Sequence, residues 1–298
     1  MRSKMDFSTS LLLMVGMVAM SSLLLPTITT KQVFAATTDK FGIHEIYPTV
    51  NKGPAWFLDD KDPEDDNNFK MTSAEHIKLK KEASKVFELD AETGSHKHGV
   101  RIHADSPNGE WKNVEMTGYF MLLDGKDQFT LIARQGPTYN DDGGCGAYGY
   151  YGMLTADGDA YFKKKLFHHG GYSDRVAVEE NVVDDLKGRW IGIKMLAYDT
   201  GHNHDVKLEL WVDDGDEKNQ WKKVTEYVDD GNWETNHKDC DRSRDDIIED
   251  GTRGGFRVDD SEFDFKDLSI REINPAYKAA VNNDCRYLDS YRASLFSF

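Results

Sequence analysis

Beyond residue 35 the chain has no apolar run long enough to cross a bilayer as a helix, and no long stretch of helical periodicity. The first absence excludes a body built on membrane-spanning helices. The second excludes helical bundles and alternating βαβ layouts. Cysteine is scarce: there are three, Cys145, Cys240 and Cys285, and no two stand in a C-x-x-C spacing, which argues against a zinc centre. Basic residues are also in deficit, with 37 Lys and Arg against 53 Asp and Glu and a formal charge of -16. Nucleic-acid affinity depends on Lys and Arg neutralising phosphates, so this balance argues against a nucleic-acid partner.

What is present begins with an export signal. Arg2 and Lys4 precede an apolar run from Leu11 to Leu25, Pro26 closes it, and Val33-Phe34-Ala35 offers a small-residue cleavage site after Ala35. Losing residues 1–35 removes Arg2, Lys4 and Lys31 but a single acid, Asp6, and takes the formal charge from -16 to -18. About 260 residues remain, enough for one large β domain with a proper core. The expected organisation is a signal over 1–35, one domain over 36–275 and a tail over 276–298, in which Tyr277 to Tyr291 reads as a helix. A secreted chain meets an oxidising compartment. Cys145 and Cys240 both lie in polar loops rich in Gly or Asp where two connections can meet, so they are the expected disulfide and Cys285 is left over.

From Met71 onward, short alternating runs bounded by Gly, Asp and Asn recur, the pattern of an antiparallel sandwich. Val206-Lys-Leu-Glu-Leu-Trp-Val212 puts Val206, Leu208, Leu210 and Val212 on one face and Lys207, Glu209 and Trp211 on the other. The same alternation sets Val114, Met116 and Phe120 inward and Tyr119 outward, turns Arg134 outward, and leaves Lys194 outside a strand from Trp190 to Tyr198. Between Phe265 and Leu268 the phase slips by one residue, which a β-bulge explains. Two long loops, Gly136 to Gly149 and Asp229 to Gly255, exceed what a compact domain needs, and such loops often carry function.

Arg189-Trp190-Ile-Gly-Ile-Lys194, the strand 206–212 with Asp213-Asp214-Gly215 behind it, and a last strand Phe265-Lys-Asp-Leu-Ser-Ile-Arg-Glu-Ile273 together resemble the second half of concanavalin-type lectin and laminin-G-like domains. Ile46-Tyr-Pro-Thr49 through Trp111-Lys-Asn-Val-Glu-Met-Thr-Gly-Tyr119 also resembles secreted β-sandwich proteins of soil archaea and bacteria. The resemblance implies an all-β, two-sheet antiparallel jelly roll with long loops and a short C-terminal helix. It further implies a sugar as ligand and calcium as a structural companion. Sandwiches of this kind host lectins, glycosidases, lyases and adhesion modules alike.

The outward set Tyr119, Arg134, Lys194, Lys207, Glu209 and Trp211 is the expected carbohydrate surface. Aromatic rings present flat apolar area to a pyranose, and flanking charges hydrogen-bond its hydroxyls. Tyr161, Lys163 and Lys165 would add positive charge if their strand joined the same sheet. Asp213, Asp214 and Asp216 offer hard oxygens for calcium, although Asp-Gly is equally what a hairpin turn wants. Asp264 or Asp267 beside the last strand is a further position of that kind implied by the resemblance. Tyr161-Phe-Lys163 is similar to a strand motif of alginate lyases but continues differently. A uronate lyase needs a cation or amide on the carboxylate, for which Arg134 and Gln135 stand, and a proton acceptor, for which His168, His169 or Tyr172 stand. Glu88-Leu-Asp90-Ala-Glu92 fits the acidic string of laminarinase-like glycosidases, where paired carboxyls do the work. A solvated strand end is the preferred reading of it.

The expectation is therefore an extracellular protein that binds a polysaccharide or cell-surface glycan, anionic included, on the concave face of a sandwich, with no cofactor required. The alternatives are a polysaccharide lyase, ahead of a glycoside hydrolase, and a structural or adhesion protein of the cell envelope.

Overall fold

The computed structural model describes residues 37–58, 67–72, 77–82, 86–91, 100–137, 144–168, 170–202, 204–215, 219–233, 239–240, 242 and 246–276. The signal segment, the C-terminal tail with Cys285, Glu92, His169 and Asp216 lie outside these residues. Among the described residues every regular element is a β-strand, numbered β1 to β15 along the chain.

Two antiparallel sheets form the sandwich. The eight-stranded sheet runs β13 (Lys222–Asp229), β12 (Val206–Asp213), β11 (Ile191–Asp199), β6 (Val114–Gly125), β15 (Ser261–Glu272), β4 (Val86–Ala91) and β3 (Ile77–Glu82). Its eighth strand, β1 (Ala55–Phe57), pairs with the half of β15 that β4 leaves open. The seven-stranded sheet runs β10 (Val176–Glu179), β9 (Ala160–Lys165), β8 (Gly149–Leu154), β7 (Phe129–Gln135), β14 (Arg253–Val258), β5 (Val100–Asp105) and β2 (Phe69–Thr72).

Alternation decides which side chains fill the space between. Val206, Leu208, Leu210 and Val212 of β12, Ile191, Ile193, Met195 and Ala197 of β11, and Val114, Met116 and Phe120 of β6 all enter the main core. They meet Leu131, Tyr150, Phe162 and Phe256 from the facing sheet. Each large apolar side chain so buried contributes roughly 1.5–3 kcal/mol. At Gly254 the sheets come so close that a Cβ would stand 2.2 Å from Ile270 Cδ1, so no larger residue fits without shifting the layer.

Two bulges matter. On β15 the step from Lys266 to Ser269 spans what β6 covers between Tyr119 and Thr117, so one extra residue sits in β15 at the slip seen in its sequence. On β7 the register moves from Gly255↔Ile132 to Arg253↔Gln135, again one residue too many, and Arg134 takes a left-handed φ of 51°. A bulge re-aims the side chain it carries. Here it takes Arg134 off the outer face and gives that face to Gln135.

The Cys145–Cys240 disulfide forms as expected, tying the loop after β7 to the loop before β14 across 95 residues of sequence.

Candidate polysaccharide-binding face

The outer face of the seven-stranded sheet gathers cations and aromatic rings. Ladder register lines them up: Arg101 of β5 stands beside Arg257 of β14, Arg257 beside Thr130 of β7, Thr130 beside Met153 of β8, and Met153 beside Tyr161 of β9. One row along lie Lys70, His103, Gly255, Ile132, Tyr151 and Lys163. Ile132, Tyr151, Met153 and Tyr161 form an apolar floor separate from the main core, and Tyr172 packs onto it. Gly255 leaves space, since a Cβ there would press on the Gln135 amide oxygen at 2.7 Å.

Tyr172 is the centre of this face. Its backbone bridges to Lys165 at the end of β9, its ring lies edge-on to Tyr151 with centroids 5.8 Å apart, and Lys165 Nζ stands 4.8 Å from its centroid. Its hydroxyl lies 3.4 Å from Arg257 Nη1. On a flat sheet the β10-side position of Tyr172 and β14 would be four strand spacings apart, about 19 Å. The two long side chains meet by reaching toward each other across this outer face.

Burial alone would raise the Tyr172 phenol, but the positive charges of Lys165 and Arg257 and their hydrogen bonds outweigh it and hold the group at about 8. Burial lowers Lys165. Burial also pushes His103 down to about 4, against the opposing hydrogen bond to Gln135, so the imidazole is neutral at pH 7. His103 Nδ1 and Gln135 Oε1 are 2.9 Å apart.

The charge balance on this face is uneven. Arg257 is held by Asp259, and Asp105 is shared by Arg253 and Lys70. Among the described residues, Arg101, Lys163, Lys165 and Arg175 form no ion pair with a carboxylate. Lys163 stands 6.0 Å from the Tyr172 ring centroid and Arg175 4.4 Å from that of Tyr161. Arg101 Nε and Thr130 Oγ1 are buried without a hydrogen-bond partner.

The outward set expected from alternation is placed differently. Tyr119, Lys194, Lys207, Glu209 and Trp211 do project from the outer face of the eight-stranded sheet, but residues 37–50 lie across that face and close it. Ile43, Ile46 and Tyr47 pack with Tyr119, Leu196, Tyr198, Trp211 and Trp221 into a second apolar cluster. Lys194 is 0% exposed, 2.8 Å from Glu115 Oε1 and 2.9 Å from Thr117 Oγ1. Glu115 also accepts from the Ile46 and Tyr47 amides and pairs with Arg271 at 2.6 Å. Glu209 accepts from Tyr198 Oη and from the Trp211 indole N–H. Arg134 belongs to the other sheet, and its guanidinium donates to the Lys112 and Ile248 carbonyls and to Asp199. Lys207 alone of the six is partly exposed, and it pairs with Glu226. These six residues therefore do not form an open sugar surface, because the covering segment is far away in sequence and alternation cannot announce it.

Of the calcium candidates Asp213, Asp214 and Asp216, the first two are among the described residues. Both Asp213 oxygens are taken, one by Tyr119 Oη and the Asn219 amide and the other by the Gly215 and Gln220 amides. Asp214 pairs with Arg189. Asp213 organises a turn, and no cluster of three or more metal-ligating side chains occurs among the described residues. Of the lyase set, Gln135 and Tyr172 share the outer face of the seven-stranded sheet, Arg134 does not, and His168 sits in the loop where its amide bonds the Gly144 carbonyl. His103, Arg101 and Arg257 escaped the sequence reading. The alternation of Val100-Arg-Ile-His-Ala-Asp105 was the available signal for the first two.

No protein-family model and no curated protein matches this chain. Among solved structures it resembles a galectin-like protein of unknown function from Bacillus subtilis, at 9% identity over 76% of this chain and 98% of that one, with a TM-score of 0.51. A carbohydrate-binding module from Bacillus subtilis aligns at 12% identity over 68% and 95%, with a TM-score of 0.43, and an alginate lyase at 14% over 63% and 81%, with 0.38. The two antiparallel sheets form a sandwich with the galectin-like fold of that first protein.

Proposed function

We propose that this chain is an extracellular protein that binds an anionic polysaccharide on the outer face of its seven-stranded sheet. The observation that carries the reading is a surplus of positive charge there: among the described residues, Arg101, Lys163, Lys165 and Arg175 have no carboxylate partner, on a chain whose formal charge is -16. Such local charge concentrates acidic ligands. Tyr172, half-buried, supplies ring surface for sugar C–H groups. The export signal over 1–35 and the disulfide support a place outside the cell. Titration calorimetry with a polyuronate and with a neutral glucan tests it. Binding to the polyuronate that weakens with salt and with Lys163→Gln is expected; equal affinity for the neutral glucan would sink it.

The depressed Tyr172 phenol favours a second reading, eliminative cleavage of a uronate. Tyr172 Oη would take the proton from the carbon beside the carboxyl, and the freed electron pair would form the ring double bond as the bond to the glycosidic oxygen breaks. That oxygen leaves with a proton returned by the same phenol. Arg101 and Arg257 would offset the carboxylate charge as it spreads. An absorbance rise from the unsaturated product, lost in Tyr172→Phe, is the expected result.

A further inference from the structure

Resting on the anionic-glycan reading, we propose that an acid group of the glycan docks beside the Tyr172 hydroxyl, and that the same hydroxyl, once ionised, shuts the ligand out. The cations meet there at one point. Arg257 of β14 reaches the Tyr172 oxygen at 3.4 Å, Arg101 stands opposite Arg257 in the β5–β14 ladder, and Lys165 Nζ lies 4.8 Å from the Tyr172 ring centroid. Lys163 of β9 is 6.0 Å from that centroid. From β8 the Tyr151 ring meets Tyr172 edge-on, and its own hydroxyl is buried without a hydrogen-bond partner. Among the described residues Asp259 is the acid paired into this cluster, with Arg257 at 2.7 Å. Arg101, Arg257 and Tyr172 are partly exposed and can touch a ligand, whereas Lys165 is buried and acts from beneath.

As a neutral phenol Tyr172 can donate a hydrogen bond to a carboxylate; as a phenolate it is itself the anion that Lys165 and Arg257 hold, and it repels a second negative charge. Ligand and phenolate therefore exclude each other. With the phenol at about 8, about a tenth is ionised at pH 7 and about nine tenths at pH 9. Affinity for an acidic sugar should fall about tenfold between these pH values, and by reciprocity each ligand bound at pH 9 should draw about 0.9 of a proton from solvent onto the Tyr172 oxygen. Burial lowers Lys165 as well, so loss of its charge is the competing cause of such a fall.

The test is calorimetric titration of the full chain with trigalacturonate and with trimannuronate at pH 7 and pH 9, each in two buffers that differ in ionisation heat, repeated on Tyr172→Phe. The wild type should show the tenfold fall, with proton uptake close to one per ligand at pH 9 and close to none at pH 7. Tyr172→Phe should bind equally well at both pH values and take up no proton. The proton count needs the wild type alone, and a thermal melt at pH 7 establishes that the variant folds. Equal wild-type affinity at both pH values, or a fall that survives in Tyr172→Phe and so belongs to Lys165, overturns the switch while leaving anionic-glycan binding intact. Binding at pH 9 without proton uptake does the same, and leaves the phenolate to the cleavage reading. Failure of both uronates at both pH values removes the anionic-glycan reading itself and this inference with it.

Discussion

Tyr172 should titrate well before the other tyrosines. Its phenol is drawn from the ordinary value near 10 to about 8 by Lys165 and Arg257 against the opposing effect of burial. Two pH units amount to about 2.7 kcal/mol of preference for the phenolate in the folded state, and about a tenth of the phenol is ionised at pH 7. The sign of the linkage follows: an acid whose folded value is depressed adds stability above its unfolded value near 10, and that contribution is lost as pH falls through about 8. Absorbance titration of tyrosinate in the wild type minus Tyr172→Phe isolates this group among the 13 tyrosines. The difference curve should have its midpoint near 8, and Lys165→Met should move it upward by a large part of the shift. A midpoint near 10, or one indifferent to Lys165→Met, refutes the account of this site.

Three further outcomes are expected. Because burial holds His103 at about 4, the unfolded chain binds its proton first, so stability is full above about 6.5 and falls toward pH 4 by up to about 3 kcal/mol; denaturant melts at both pH values should show the loss, and His103→Gln should flatten it. Trp211→Ala should cost about 3–5 kcal/mol and leave retention on immobilised polyuronate unchanged, since its indole is sealed beneath residues 37–50. Lys194→Met leaves Glu115 without one of its two cationic partners in a dry site and should cost about 3–5 kcal/mol in chemical denaturation.

How much of this was legible in the sequence differs by level. Strand existence and facing were legible wherever one side of a strand meets the core, as in Val206 to Val212, because a period of two leaves no other way to bury four apolar residues together. The slip between Phe265 and Leu268 was legible for the same reason. The disulfide was legible from loop composition. The proposed binding face was not, because alternation tells in from out and says nothing about what lies on the outside. Trp211 and Lys194 are outward and yet covered, by a segment more than 100 residues earlier in the chain. Arg134 was misplaced because a bulge in β7 shifts the parity by one, and no Gly or phase break in Phe129 to Gln135 gives notice of it.

The two outer faces carry similar residue types and reach opposite ends, and the reason lies in how charges are matched. On the eight-stranded sheet Lys194 and Arg271 meet Glu115 and Glu45, two cations for two acids, and the amides of residues 46 and 47 fill the remaining acceptor positions of Glu115. A network whose charges are matched in this way has no unpaired charge for a ligand, and removing any member leaves a buried charge uncompensated. On the seven-stranded sheet Asp259 and Asp105 pair with Arg257, Arg253 and Lys70, and among the described residues four more cations have no carboxylate partner. Holding like charges together without counterions costs folding free energy unless something outside the chain supplies them. Under the proposed function a polyanion would relieve that repulsion on binding, so the same imbalance that weakens the free protein would strengthen the complex, and the unmatched face rather than the aromatic-rich one is where that proposal places the ligand.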